Sequence, residues 1–183
     1  MSFSIKYNCV CVRGFSLIES YLGFEEWYSL LGSINDSTHK LIFEVLYYTG
    51  CSESELINLK FSDFNFKSSS IKFKDRISAI PLQLSLKIKK INLKPADHIF
   101  SSRQSSRISS KRIQQIVSEI SLRNIGKRIT PQDIRTLHVC HALVKSQSII
   151  SISKQTGLKA QRIAQITEAY RDVLNRIAVR YEL

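Results

Sequence analysis

The chain has 183 residues, with 43% hydrophobic and 23% charged residues, and a net charge of +12 from 27 Lys and Arg against 15 Asp and Glu. That size and mix suit one folded domain with a real core and exclude an intrinsically disordered chain. No apolar run reaches the roughly 20 residues of a membrane-spanning helix, and no secretory signal pattern opens the chain, so the expectation is an intracellular protein without a membrane partner.

The charge is unevenly spread. Residues 1–70 carry 5 basic and 8 acidic groups, whereas residues 71–183 carry 22 basic and 7 acidic ones. A one-sided positive field concentrates polyanions and makes their binding salt-dependent, which points to nucleic acid. Cys9, Cys11, Cys51 and Cys140 show neither paired spacing nor neighbouring His ligands, so they read as buried thiols and no metal is expected.

In chain order, residues 1–23 have weak periodicity and read as an irregular leader. Phe24 to Ile34 reads as a helix with Trp27, Leu30, Leu31 and Ile34 on one face. Asn35, Asp36 and Ser37 break and recap the chain. A second helix carries Leu41, Ile42, Val45 and Leu46 and ends at Gly50. Ser52 and Glu55 fit a capping box for a short helix through Leu56 and Leu59. Asp63 to Ser70 reads as a polar turn. Ile71–Phe73 and Ile77–Leu82 form a hairpin, with Lys72, Lys74, Asp75 and Arg76 around its tip.

The alternation at Leu82, Leu84, Leu86 and Ile88 fits strand or helix. A Ser-rich basic stretch then leads into a helix of Ile113, Ile116, Val117 and Ile120. Thr130, Pro131 and Asp133 are a strong helix start, predicting a helix to about Lys145. A shorter helix spans about Ile149 to Thr156 and is stopped by Gly157, and a last one runs from Ala160 to about Tyr181. The expected fold is mainly α with a small antiparallel β-sheet (α+β).

Three segments carry a resemblance. The first is Tyr47-Tyr48-Thr49-Gly50-Cys51-Ser52-Glu53-Ser54-Glu55-Leu56, followed by Leu59 and Asp63. The second is the basic hairpin ending in Ile80-Pro81-Leu82. The third is Ile129-Thr130-Pro131-Gln132-Asp133-Ile134-Arg135, followed by His141, Gly157 and a C-terminal Tyr. In order and spacing they resemble the tyrosine recombinase (phage integrase) family over roughly residues 24–181.

The resemblance implies a catalytic-domain fold over residues 24–183, DNA as partner, and chemistry that needs neither metal nor other cofactor. In that chemistry a Tyr hydroxyl attacks a DNA phosphate to give a 3′-phosphotyrosine. Two Arg forks brace the non-bridging oxygens, and a hairpin Lys protonates the departing 5′ oxygen.

Carried over by position, Arg135 is the second Arg, Lys74 or Lys72 is the hairpin Lys, and Tyr170 is the candidate nucleophile, with Tyr181 a weaker choice. Tyr170 lies 13 residues after Gly157, more than the family's usual spacing. It also falls on the apolar stripe Ile163, Ile166, Tyr170, Val173 and Ile177, as a core Tyr would. Lys72, Arg76, Gln132, Lys159 and Arg162 are the further candidate DNA contacts.

The match departs from the family at four places. Ser52 stands where the first Arg belongs, a loss of the kind that costs on the order of 10²–10³ in rate. Gln132 and Thr136 replace His, and Leu158 and Lys159 follow Gly157 where His or Trp is usual. His138 and His141 read as structural. The family also has a helical DNA-clamping domain before this region, for which the preceding residues are too few. A lone domain is expected to grip DNA from one side, with self-association through the C-terminal helix.

Two readings stay open: DNA cleavage and rejoining with impaired catalysis, or a recombinase-derived DNA-binding module. The spacing of Ile152, Gly157, Leu158, Ile163 and Ile166 also fits a helix-turn-helix presenting Lys159 to Gln165, which implies DNA binding without strand cleavage.

Overall fold

The structure, a computed structural model, describes residues 21–102 and 105–180, and side chains as far as Arg176. The leader up to residue 20, with Cys9 and Cys11, and Tyr181 lie outside the described residues. So does the side chain of Ile177.

Helix α1 (Phe24–Ser33) buries Trp27, Leu30 and Leu31, and Glu26 reaches back to accept the Gly23 N–H at 2.9 Å. Ile34 is already extended, though buried. Helix α2 (Ser37–Thr49) starts where the Asp36 carboxylate accepts the His39 N–H at 2.7 Å. It ends at Gly50, whose φ of +57° is the left-handed conformation that glycine adopts without strain. The Ser52–Glu55 box forms as the sequence predicts and starts helix α3 (Glu53–Ile57).

The sheet has one strand more than expected. Strand β1 (Phe64–Asn65) pairs antiparallel with β2 (Ser70–Lys72), which pairs antiparallel with β3 (Ile77–Ala79). The registers Phe64↔Ile71 and Ile71↔Ser78 put three inward side chains in a row. A two-residue strand is too short to show alternation. The polar residues after it do form a turn, with the Asn65 side chain accepting the Lys67 and Ser68 N–H groups. The hairpin is also shorter than predicted: Phe73 leaves the ladder and donates its N–H to Arg76 O at 2.8 Å, closing a tight tip over residues 73–76.

The ambiguous stretch after Pro81 is helix α4 (Leu82–Lys89). It buries Leu84, Ser85 and Ile88 at helical spacing and leaves Leu82 and Leu86 exposed. Helix α5 (Ser110–Ile125) is capped by Ser109 and ends at Gly126. Helix α6 (Pro131–Val144) opens on the predicted Thr130–Asp133 box with Pro131 in its first turn. Helix α7 (Ile149–Thr156) is capped by Ser148 and stopped by Gly157 at φ +70°.

The single last helix of the sequence reading is two, α8 (Ala160–Ala169) and α9 (Arg171–Arg180). They are divided at Tyr170, whose φ and ψ of −109° and 13° leave the helical region. The apolar stripe continues across the break, so periodicity alone gives no sign of it.

Two apolar clusters form. The larger gathers α1, α2, α4, α5 and the sheet around Trp27, Phe43, Ile71, Ile88 and Phe100. The smaller packs Val139 and Cys140 of α6 against Ile152 of α7, Ile163 and Ile166 of α8, and Tyr170. Cys51 and Cys140 are buried free thiols, and burial pushes them up to about 11 and about 12.

Candidate functional site

The three segments singled out in sequence meet at the C-terminal end of α7. Gly50 lies against Thr156, where a Cβ in place of its hydrogen would come within 2.6 Å of Thr156 Cγ2. The hairpin is pinned to the same helix end by Gln155, whose side chain accepts the Ala79 N–H at 3.0 Å and donates to Ala79 O at 2.7 Å. It also donates to Tyr48 O at 2.8 Å, tying in the end of α2. The sequence gives no signal for Gln155, because its partners are backbone atoms about 76 and 107 residues away.

The last carbonyls of a helix lack intrahelical partners and carry the negative end of its dipole. Two arginines use them. Arg135 of α6 donates Nη2 to Thr156 O at 2.7 Å, and Arg76 of the hairpin tip donates Nη1 to Gln155 O at 2.5 Å and to the Ser78 hydroxyl. Arg76 also lies over the Phe73 ring at 4.1 Å, and its Nη2 stands 3.0 Å from Glu55 Oε1. Gly157 makes this approach feasible: a Cβ there would sit 2.8 Å from Arg76 Nε.

Glu55 is held from its other side. Its Oε2 accepts the Ser52 N–H at 2.7 Å and the Ser52 hydroxyl at 3.0 Å. Ser52 is thus occupied as a helix cap. Burial lowers the Arg135 pKa, the Glu55 carboxylate acts against that, and the nearby Arg76 charge adds to it. The carboxylate and the two guanidinium groups form one electrostatic unit.

Some donors in this unit are unmatched. Arg76 Nε and Nη2 and Arg135 Nε are buried without a hydrogen-bond partner, the Arg76 Nη2–Glu55 approach being an ion pair only. Buried polar groups are nearly always hydrogen-bonded, so three such nitrogens together mark a place suited to acceptor oxygens. Beside them opens a cleft of about 930 Å³ lined by Lys72, Lys74, Arg76 and Lys154, with Glu55 among its walls.

The other named residues fall as follows. Lys72 and Lys74 are exposed and border this cleft, and both also border the adjoining one of about 520 Å³. Gln132 is exposed on the first turn of α6, three residues before Arg135. Lys159 occupies the N-cap position of α8 without a side-chain cap bond, and Arg162 lies on its first turn, donating to Gln165 Oε1 at 3.2 Å; both are exposed. Tyr170 is not brought to the cleft walls. It is 5% exposed in the smaller apolar cluster, its ring 6.1 Å from that of Tyr21.

The histidines are inward too. His141 Nε2 lies 3.0 Å from Leu22 O, which only accepts, so Nε2 carries the proton and Nδ1 accepts from Tyr47 OH at 2.7 Å. Phe24 stacks on the ring at 4.0 Å. Burial takes both His138 and His141 down to about 4, so both are neutral near pH 7. Among the described residues no group of three or more His, Cys, Asp or Glu is placed to hold a metal ion, and no helix is long and apolar enough to cross a membrane.

A mainly helical domain with a three-stranded antiparallel sheet, its hairpin tip docking Arg76 on the end of α7 next to Arg135, has the architecture of a tyrosine recombinase catalytic domain. The profile of the phage integrase family matches residues 21–175, and the chain belongs to that family. It is 31% identical over 139 residues to the tyrosine recombinase XerA of Pyrococcus furiosus, a match covering 69% of this chain and 48% of that protein. A tyrosine recombinase of Pseudothermotoga lettingae is 28% identical over 136 residues, covering 68% and 47%.

The chain therefore spans about half the length of these relatives. Among solved structures, the crystal structure of XerA recombinase superposes with a TM-score of 0.70 at 23% identity, covering 85% of this chain and 64% of that one. XerH recombinase bound to its difH substrate in a pre-cleavage complex gives 0.70 at 16% identity, covering 84% and 51%. These two likenesses establish the fold.

Proposed function

We propose that this chain binds duplex DNA as a recombinase-type domain whose strand-cleavage chemistry is impaired. The observation that carries the reading is the cleft beside the end of α7, lined by Lys72, Lys74, Arg76 and Lys154, with Arg135 docked on the Thr156 carbonyl and buried guanidinium donors that lack acceptors. A phosphodiester supplies such acceptors in the geometry a guanidinium fork prefers. The structures of XerH with its difH substrate and of the Tn1549 integrase with DNA agree with the choice of ligand, and a DNA ligand is consistent with an intracellular protein.

Cleavage is a different demand. It needs a nucleophile at the phosphate, and Tyr170 lies in an apolar cluster, while Ser52 offers a hydroxyl where the family places a guanidinium. Lys74 or Lys72 and Arg135 supply charge in this reading, Gln132, Lys159 and Arg162 extend the contact along the backbone, and Tyr170 supplies packing. Self-association through α9 belongs to the same proposal, as a means of adding further DNA contacts.

The test is fluorescence anisotropy on a labelled duplex across a salt series. The four cations lining the cleft predict a log–log slope of roughly −3 to −4. A flat salt response, or no binding at low salt, would sink the reading.

A further inference from the structure

The cleft contains its own anion. Glu55 is fixed by the α3 cap through Oε2, so that Oε1 is presented to Arg76 Nη2 at 3.0 Å, without hydrogen-bond geometry. Arg76 Nε and Arg135 Nε have no acceptor at all. The side chain of Arg76 is only 9% exposed, and the two arginines dock on the consecutive carbonyls of Gln155 and Thr156. One carboxylate oxygen thus faces the Arg76 fork alone, and the Arg135 fork beside it feels that charge without an ion-pair contact. The arrangement keeps an excess of positive charge and is poor in hydrogen bonds, as expected for a seat whose proper occupant has more oxygens.

We infer that Arg76 and Arg135 form a single phosphate seat occupied by the Glu55 carboxylate, and that a DNA phosphate binds there by displacing it. The exchange swaps one anion for another at the same guanidinium. It needs only a small movement of the hairpin tip, since Arg76 belongs to the tight turn over residues 73–76 and not to a strand. Glu55 then sets the affinity: it offsets part of the seat's positive charge and competes with every anion that enters. Arg76 supplies, from the hairpin, the second guanidinium that the chain lacks at Ser52. The inference rests on the DNA-binding reading and adds to it the residue that gates the phosphate.

The experiment is a titration with inorganic phosphate, followed through the Nε–Hε NMR signals of the arginines, on the unmodified chain and on Glu55→Gln. Gln retains the capping box, so α3 stays started. Loss of the competing charge is expected to tighten phosphate binding about tenfold, with the Arg76 and Arg135 signals moving together. The same gain is expected to vanish in Glu55→Gln with Arg76→Gln. If that double variant fails to fold by circular dichroism, Arg76→Lys takes its place, and the gain should fall at least severalfold because the fork is lost.

An unchanged affinity in Glu55→Gln would overturn the seat, as would a gain that survives replacement of Arg76. Duplex binding is measured on the same samples. If the unmodified chain shows no salt-sensitive DNA binding, the proposed function fails, whereas the phosphate titration stands or falls by itself.

Discussion

The two sides of helix α7 differ in what they leave unsatisfied. Toward the hairpin, cationic nitrogens outnumber their acceptors, and an exposed rim of Lys72, Lys74 and Lys154 surrounds them. Toward α8 and α9, Ile152 packs with Val139, Cys140, Ile163, Ile166 and Tyr170 in a closed apolar cluster. One side offers cationic donors without acceptors and the other excludes water. On the proposed reading, attraction for phosphate and the chemistry done on phosphate are separable: the cationic side serves the first, and Tyr170 has the surroundings of a core residue.

The comparison breaks most severely at Gly50, which couples the two sides by seating the end of α2 on Thr156. Gly50→Ala combines a left-handed φ of +57° with a 2.6 Å contact. The expected loss is roughly 2–5 kcal/mol of stability, read by urea unfolding. Retention of full stability would show that α7 is free to shift at this contact.

Arg135→Ala sharpens the hairpin side. Removing a guanidinium bound to Thr156 O and leaving its seat half-formed is expected to weaken duplex binding about 10- to 100-fold, on the scale of 1–3 kcal/mol for a charged hydrogen bond. Arg135→Lys should recover part of this through charge alone. Equal affinity in both variants and the unmodified chain would remove Arg135 from the interface.

A smaller effect comes from pH, through the two histidines that α6 turns toward α2. His138 and His141 are held neutral down to about 4 by burial, against 6.5 in the unfolded chain. Between those values the unfolded state takes up protons that the fold refuses. The stability they contribute is complete above about pH 6.5 and is lost as pH falls toward 4. The slope approaches about 1.4 kcal/mol per pH unit for each ring. Urea midpoints at pH 7 and pH 5 should differ, and the difference should shrink in His141→Gln.

Much of this was legible in the sequence where the signal is local. Each cap read from Ser52–Glu55, Asp36 and Thr130–Pro131–Asp133 involves residues within three positions of one another, and each forms as read. The stops at Gly50 and Gly157 are equally local. The strand Phe64–Asn65 and the break at Tyr170 were not legible. A two-residue strand is defined by its partner, and the apolar stripe runs through Tyr170 without interruption.

The site divides in the same way. Arg135 and the basic hairpin stand out by type and position. That Arg76 reaches across to α7, that Gly157 leaves room for it, and that Glu55 holds it depend on contacts between distant segments. Glu55 was visible only as a helix cap, its second role hidden because the carboxylate has two oxygens and the sequence shows one use.

DNA binding without effective cleavage, as proposed for this domain, can be checked by covalent trapping on nicked duplex DNA, with the unmodified chain and Tyr170→Phe run side by side on denaturing gels. Salt-sensitive binding by both proteins and no denaturation-resistant adduct from either is the expected outcome. An adduct formed by the unmodified chain and absent from Tyr170→Phe would contradict it, and would make Tyr170 a working nucleophile that leaves its apolar cluster when DNA binds.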